Sequence, residues 1–384
     1  MPSIETSPHP LGFKAGQGAT GGDAAIWTRT RVRSLAGMQK EAFVEYGPTG
    51  TVWRMVADEG AGLNGTDLAP FPLAFFNAGL LASTMAEIEA LAEARGLSVD
   101  GAGAAATNTY MIEGSATQGT QQGSSLPADI HLSPPTGADQ DAWMEILRHA
   151  VAASPVDAIL RAPLTSRFSL SCNGKRLATD KVPECTEEPI SAEAALFDGL
   201  APIENAADAL IKKEPAANDA PPRQPPVPGQ KRTLVVGGAA SFAAGGRKNI
   251  RVQNGMPGSS AFHFLSDNSA HFGGAETAPP GIVLAAAGIG FCYMTQLGRY
   301  AKLTHQDLQS YAITQDMNFG VPGASGRTDT PPLAEAAVTH IHLEMGADGD
   351  ARLVTDMAAR MCFLHSALAA QLKTKVGLGP IPLP

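Results

Sequence analysis

Two long apolar stretches stand 209 residues apart in this chain, and that repeat constrains the fold more than any other feature. The first is Pro72-Leu-Ala-Phe-Phe-Asn-Ala-Gly-Leu-Leu-Ala-Ser-Thr-Met85, running on through Ala86–Gly96. The second is Pro280-Gly-Ile-Val-Leu-Ala-Ala-Ala-Gly-Ile-Gly-Phe-Cys-Tyr293, running on through Met294–Leu303. Both are apolar nearly all round at their starts, which predicts helices buried inside a domain. Turn-rich and alternating sequence follows each, including Val338-Thr-His-Ile-His-Leu-Glu344, a period-two strand pattern. A second helix is then expected in each half, through Trp143–Pro155 and through Val354–Phe363. Aligning the first helices sets Ser83 against Cys292, 209 residues on; aligning the second sets Ser154 against Cys362, 208 residues on. Offsets that agree within one residue imply a duplicated α+β unit. A solenoid would repeat at about 20–50 residues.

The 384 residues suffice for two domains at roughly 150 residues each. Ile211–Gly229 is Pro-rich and poor in large apolar residues, which predicts an extended tether. The expected division is therefore a first domain over 15–205, a linker over 206–231 and a second domain over 232–384. A 44% hydrophobic share with 17% charged residues excludes a mostly disordered chain. With 28 Lys+Arg against 37 Asp+Glu, the net charge of −9 argues against a nucleic-acid partner. Met1–Lys14 lacks the basic and apolar regions of a secretory signal, and Gly281–Tyr293 falls short of the ~20 residues of a membrane span. A soluble, cytoplasmic protein with no membrane partner is expected.

Four cysteines in so long a chain do not make a disulfide framework, so each thiol is expected to be free. Cys172 and Cys185 flank the turn signal Asn173-Gly174 and read as structural. Cys292 and Cys362 fall on two buried helices of one half. Packed helices lie about 8–10 Å apart, so facing thiols can meet. A reactive dithiol needs a stabilised thiolate, a cation and a resolving thiol. The same half carries His263, His271, His305, His340, His342 and His365. His340 and His342 share one strand face and could line a pocket, and Tyr293 or His365 could serve as acid or base. No ligand spacing of the zinc kind occurs, and no cofactor is expected. The alternation Arg29, Arg31, Arg33 reads as one face of a strand, solvated or meeting the other half.

The second half resembles the OsmC/Ohr family (osmotically inducible protein C and organic hydroperoxide resistance protein). The resemblance lies in Phe272-Gly-Gly-Ala-Glu-Thr-Ala-Pro-Pro-Gly-Ile-Val-Leu-Ala-Ala-Ala-Gly-Ile-Gly-Phe-Cys292 and in Cys362-Phe-Leu-His-Ser-Ala-Leu368. The first half shows the same frame in Asn64–Gly79 and in Ser154-Pro-Val-Asp157, with Ser in place of Cys. The resemblance implies an α+β fold: two OsmC-like domains, antiparallel sheets around long central helices, forming an intramolecular pseudo-dimer. It also implies a thiol-dependent peroxidase in which Cys292 attacks an organic hydroperoxide, Cys362 resolves, and an external thiol reduces the pair. The family's activating Arg, often in a Gly-Gly-Arg string, matches Arg247 in Ala243-Ala-Gly-Gly-Arg-Lys-Asn249. Tyr293, His340, His342 and His365 are the residues expected around the substrate. Two departures leave other readings open: the acid expected just before the central helix is displaced to Glu276, and Phe363 replaces the Pro after the second Cys. The alternatives are a non-redox cysteine-dependent enzyme acting on a small organic substrate, and a silent binding protein.

Overall fold

The computed structural model describes residues 2–18, 26–191, 197, 202, 209–216 and 229–380. Among these, ten strands and three α-helices come from the first half and the segment joining the halves. They are β1 (Gly12–Gln17), β2 (Ile26–Ser34), β3 (Lys40–Tyr46), β4 (Thr51–Ala57), α1 (Pro72–Ala94), β5 (Gly103–Gly114), β6 (Gln122–Ser125), β7 (Asp129–Ser133), α2 (Gln140–Ala153), α3 (Pro155–Arg161), β8 (Arg167–Cys172), β9 (Lys175–Leu177) and β10 (Ile211–Glu214). The second half supplies β11 (Gly229–Phe242), β12 (Lys248–Asn254), β13 (Ala261–Ser266), α4 (Gly281–Leu303), β14 (Leu308–Gly320), β15 (Val338–Met345), α5 (Ala351–Met361), α6 (Phe363–Ala369) and β16 (Lys375–Leu378). The architecture is mixed α+β.

Each sheet is assembled from both halves. One runs β1-β4-β3-β2-β14-β15-β8-β9; the other runs β10-β13-β12-β11-β5-β7-β16, with β6 on β5. The halves meet at two antiparallel seams, β2–β14 and β11–β5, joined for example at Thr314 to Arg31 and at Val236 to Asn108, and at two parallel ones, β15–β8 and β16–β7. Along the first seam Arg29 makes two 2.8 Å hydrogen bonds to Asp316, while Arg31 and Arg33 pair with Glu45 and Glu41. The arginine alternation is thus a strand face met by acids, one of them from the other half.

Between the sheets lie α1 and α4, apolar on almost every side because both are enclosed. They cross antiparallel, backbone against backbone. A Cβ on Gly79 would come within 2.6 Å of the Ala285 amide nitrogen, and one on Gly288 within 2.7 Å of the Phe76 nitrogen. Glycine is required at both points by close approach, and the two positions are 209 residues apart like the helices themselves. Phe75 seals the crossing, its ring 5.1 Å from Phe291 and 5.2 Å from Phe264.

Three expectations are corrected in detail. The segment expected as a tether contains strand β10, paired with β13 from Ile211 opposite Phe264 to Glu214 opposite Ala261; residues 217–228 lie outside the described residues. The helix from Gly281 runs to Leu303 as expected, so it does not fall short of a membrane span: it is long and apolar enough by length and composition, with 94% of that window buried in the protein itself. The second helix of each half is broken in two, at Ser154 and at Cys362, both in extended backbone. That break shapes the site.

Candidate active site

Cys292 occupies the middle of α4, facing inward, and is 2% exposed. Cys362 stands between α5 and α6: its N–H bonds to the Ala358 carbonyl at 3.0 Å, while its φ of −73° and ψ of 117° leave the helix. A residue at such a cap turns its side chain back over the following N–H groups. The sulfur therefore faces α4, and Cys362 Sγ lies 3.3 Å from Cys292 Sγ. Both thiols are free and buried. Their first-half counterparts meet in the same way: Ser83 Oγ and Ser154 Oγ are 2.8 Å apart, and Ser154 caps α3 by accepting from the Asp157 N–H.

His365, three residues past Cys362, places Nδ1 3.3 Å from the Cys362 sulfur. Its other nitrogen faces Gln315 Nε2 at 3.5 Å, and that amide also donates to Thr339 Oγ1 at 3.0 Å. An amide N–H toward Nε2 makes Nδ1 the protonated nitrogen, aimed at sulfur. The ring is walled by Tyr293, 4.9 Å between centroids, and by Phe168 at 5.4 Å. Tyr293 donates its hydroxyl to the Thr355 carbonyl at 3.2 Å, and burial pushes its phenol well above the usual range.

The two thiols titrate as a pair and share one charge. Burial acts on both. At Cys362 it is outweighed by hydrogen bonds from the Cys292 thiol and from His365, which hold the group well below the ordinary thiol range. At Cys292 burial comes first and the neighbouring Cys362 charge adds to it, so this thiol is held well above that range. Cys362 is thus the more acidic thiol of the pair, with Cys292 Sγ and His365 Nδ1 each 3.3 Å from its sulfur.

The cation coupled to Cys292 comes from the first half. Lys40, on β3, is buried and donates to the Met38 carbonyl at 2.5 Å. Burial lowers its pKa against the opposing charges of Glu59, Asp58 and Cys292. Glu59, just after β4, is also buried and accepts from Thr295 Oγ1 at 2.7 Å, one turn beyond Cys292. Burial raises its pKa and Lys40 opposes the rise. Arg299, two turns beyond the cysteine, is lowered to about 10 by burial and by Arg232.

Of the residues expected from sequence, the structure brings Cys292, Cys362, His365 and Tyr293 together. His340 and His342 stand on the opposite face of β15 from Thr339, which faces the site. His340 Nδ1 lies 2.8 Å from Ser169 Oγ, and His342 Nε2 2.9 Å from the Ile190 carbonyl. Burial lowers the pKa of His340 and keeps it neutral. Arg247 lines a separate cavity of about 340 Å³ with Lys212, Asn249 and His263. The adjacent Lys248, 208 residues after Lys40, reaches Glu89 at 2.9 Å and Asn268 at 2.6 Å, beside the serine pair. Each half thus sends its lysine across to the other half's helix. The signal missed in the sequence was that pair of lysines at the repeat offset. Cys172 ends β8 at the Asn173 turn, and Cys185 is bound by its backbone to Phe168. Among the described residues no group of three or more His, Cys, Asp or Glu is arranged to hold a metal ion.

A cavity of about 1340 Å³ opens over Ser83 and Glu87, and neither Cys292 nor Cys362 lines it. Glu87 accepts from the Ser325 N–H at 2.9 Å and from its hydroxyl, and burial pushes its carboxyl up to about 7.

No family model and no curated protein matches the chain. Among solved structures it is similar to an OsmC-like hydroperoxide resistance protein from Jannaschia sp. CCS1, at 19% identity and a TM-score of 0.26, over 40% of this chain and 99% of that one. A likeness of that size shows no shared detail of the site.

Proposed function

We propose that this protein is a thiol-dependent peroxidase that reduces organic hydroperoxides through Cys292 and Cys362. The observation that carries the reading is the 3.3 Å contact between two buried, free thiols, one of them also 3.3 Å from His365 Nδ1. In the proposed cycle Cys292 sulfur attacks the terminal oxygen of the hydroperoxide as its proton passes to the Cys362 thiolate. The O–O bond breaks, Cys292 becomes a sulfenic acid, and the alkoxide takes a proton from water to leave as an alcohol. Cys362 sulfur then attacks the sulfenic sulfur, and its proton leaves with the hydroxyl as water. An external thiol reduces the resulting disulfide. Cys292 is assigned the attack because it is the thiol coupled to Lys40 and Glu59, the polar groups able to face a substrate oxygen.

The exchange of strands between halves supports a second element of the proposal. The chain is read as an OsmC-like pair written as one polypeptide, in which the first half has lost the thiols and supplies the lysine and glutamate of the remaining site. The test is Cys362→Ser, treated with one equivalent of cumene hydroperoxide and trapped with dimedone. The expected adduct is on Cys292; an adduct-free protein that still consumes peroxide contradicts the assignment.

The His365–Cys362 contact also favours a second reading, a non-redox enzyme with Cys362 as nucleophile and His365 Nδ1–H donating to its thiolate. That enzyme tolerates Cys292→Ser, whereas the peroxidase loses turnover.

A further inference from the structure

The hairpin of β5 and β6 presses the first half against the junction of α5 and α6. Ser125 Oγ donates to the Phe363 carbonyl at 3.0 Å, and a Cβ on Gly123 would meet the Met361 carbonyl oxygen at 2.5 Å. Tyr110 pairs with Ser125 in this hairpin, on the buried face of β5, and its ring lies 5.4 Å from that of Phe363, the neighbour of Cys362. Tyr110 is 2% exposed, and its hydroxyl oxygen has no hydrogen-bond partner among the described residues. The phenol interacts electrostatically with both sulfurs, and burial holds it well above its ordinary range, so it keeps its proton.

This contrasts with the other enclosed tyrosine at the pair, since Tyr293 commits its O–H to the Thr355 carbonyl. A buried hydroxyl without a partner is costly, because it gives up its bonds to water and gains none. Here the unpartnered hydroxyl belongs to a ring packed on Phe363, the residue that follows Cys362.

We infer that Tyr110 is a substrate-binding and catalytic residue, whose O–H donates to the alkoxide oxygen of the hydroperoxide as the O–O bond breaks. The inference rests on the peroxidase reading and adds to it a group from the opposite half of the chain. In the step, the sulfur–oxygen bond forms at Cys292 and the electron pair of the O–O bond goes to the alkoxide oxygen. Tyr110 stabilises that charge by its hydrogen bond and retains its proton; water supplies the proton of the alcohol. A fixed donor in a dry site is effective because it is aimed before the charge develops.

The test is Tyr110→Phe, measured in steady-state reduction of cumene hydroperoxide and, separately, in oxidation of the thiol pair by diamide, which needs no oxyanion donor. The expected result is a fall of roughly 100-fold in kcat/KM for the hydroperoxide, carried by kcat. The diamide rate should be unchanged and Tm equal to or above that of the wild type, since an unpartnered hydroxyl has been removed. Unchanged peroxidase kinetics overturn the inference. So does a fall in Tm together with a slower diamide reaction, which marks a structural hydroxyl. A wild-type protein that forms the diamide disulfide yet consumes no hydroperoxide overturns the peroxidase reading itself, and the role of Tyr110 with it.

Discussion

Cys362 owes its chemistry to three neighbours no farther than a few residues or one helix away. Helix α5 ends at it, His365 lies three residues on, and Cys292 faces it at 3.3 Å. Because its folded pKa is depressed, its ionisation stabilises the native state at pH above the ordinary thiol range. That contribution is lost as the pH falls through the lowered folded value. Cys292 behaves oppositely, as its raised pKa makes its ionisation unfavourable to the fold. In a Cys172→Ser, Cys185→Ser background, absorbance at 240 nm should therefore show one thiolate forming below the ordinary thiol range and a second forming above it. His365→Asn should move the first titration upward and slow peroxide reduction at neutral pH. A variant with an unmoved first titration would show that His365 does not stabilise the charge. At this scale the sequence was readable where the repeat offset applied: two cysteines at matching positions on two helices do meet. It was not readable for the cation. Arg247 sits in the matching string, but the lysine beside it crosses to Glu89 of the first half, and Lys40 of the first half is the cation whose charge Cys292 feels.

At the scale of elements, the site is held by a helix crossing that only glycine permits. Gly79 and Gly288 let α1 and α4 touch along their backbones, which sets how deeply Cys292 is seated beneath the first half's strands. Gly79→Ala or Gly288→Ala inserts a methyl group where backbone atoms stand within 2.6 or 2.7 Å. Each should cost about 1–3 kcal/mol of stability, read from denaturant unfolding, since a close-packed core relaxes only by strain. No loss of stability at either position would show that the helices are not locked there. Apolar patterning made both long helices legible, because a helix enclosed on all sides needs no polar face. Which face of β15 turned inward was not legible. Alternation put His340 and His342 on one face, but Thr339, Ile341 and Leu343 are the ones that point to the core. Nor did the pattern show the break at Cys362, where the apolar run continues through Leu364 while the backbone leaves the helix.

Across the whole molecule, the seams β2–β14, β11–β5, β15–β8 and β16–β7 bind the halves more intimately than a tether would. Either half alone leaves four strands short of a hydrogen-bonding neighbour. A protease site introduced between residues 217 and 228 and cleaved after folding should yield two fragments that co-elute and keep full thiol reactivity. They should separate only in denaturant. Fragments that part in native buffer and each remain folded would contradict the interleaved architecture. The offsets of 208 and 209 marked the two long helices and their broken partners, but the exchange of strands between the halves depends on pairings far apart in sequence and left no local mark. The most direct test of the peroxidatic pair is mass spectrometry of the reduced full-length protein after one equivalent of cumene hydroperoxide. The predicted product is a single disulfide joining Cys292 to Cys362, with Cys172 and Cys185 still free and the peroxide converted to its alcohol. Four free thiols beside unconsumed peroxide, or a disulfide using either of the other cysteines, would contradict it.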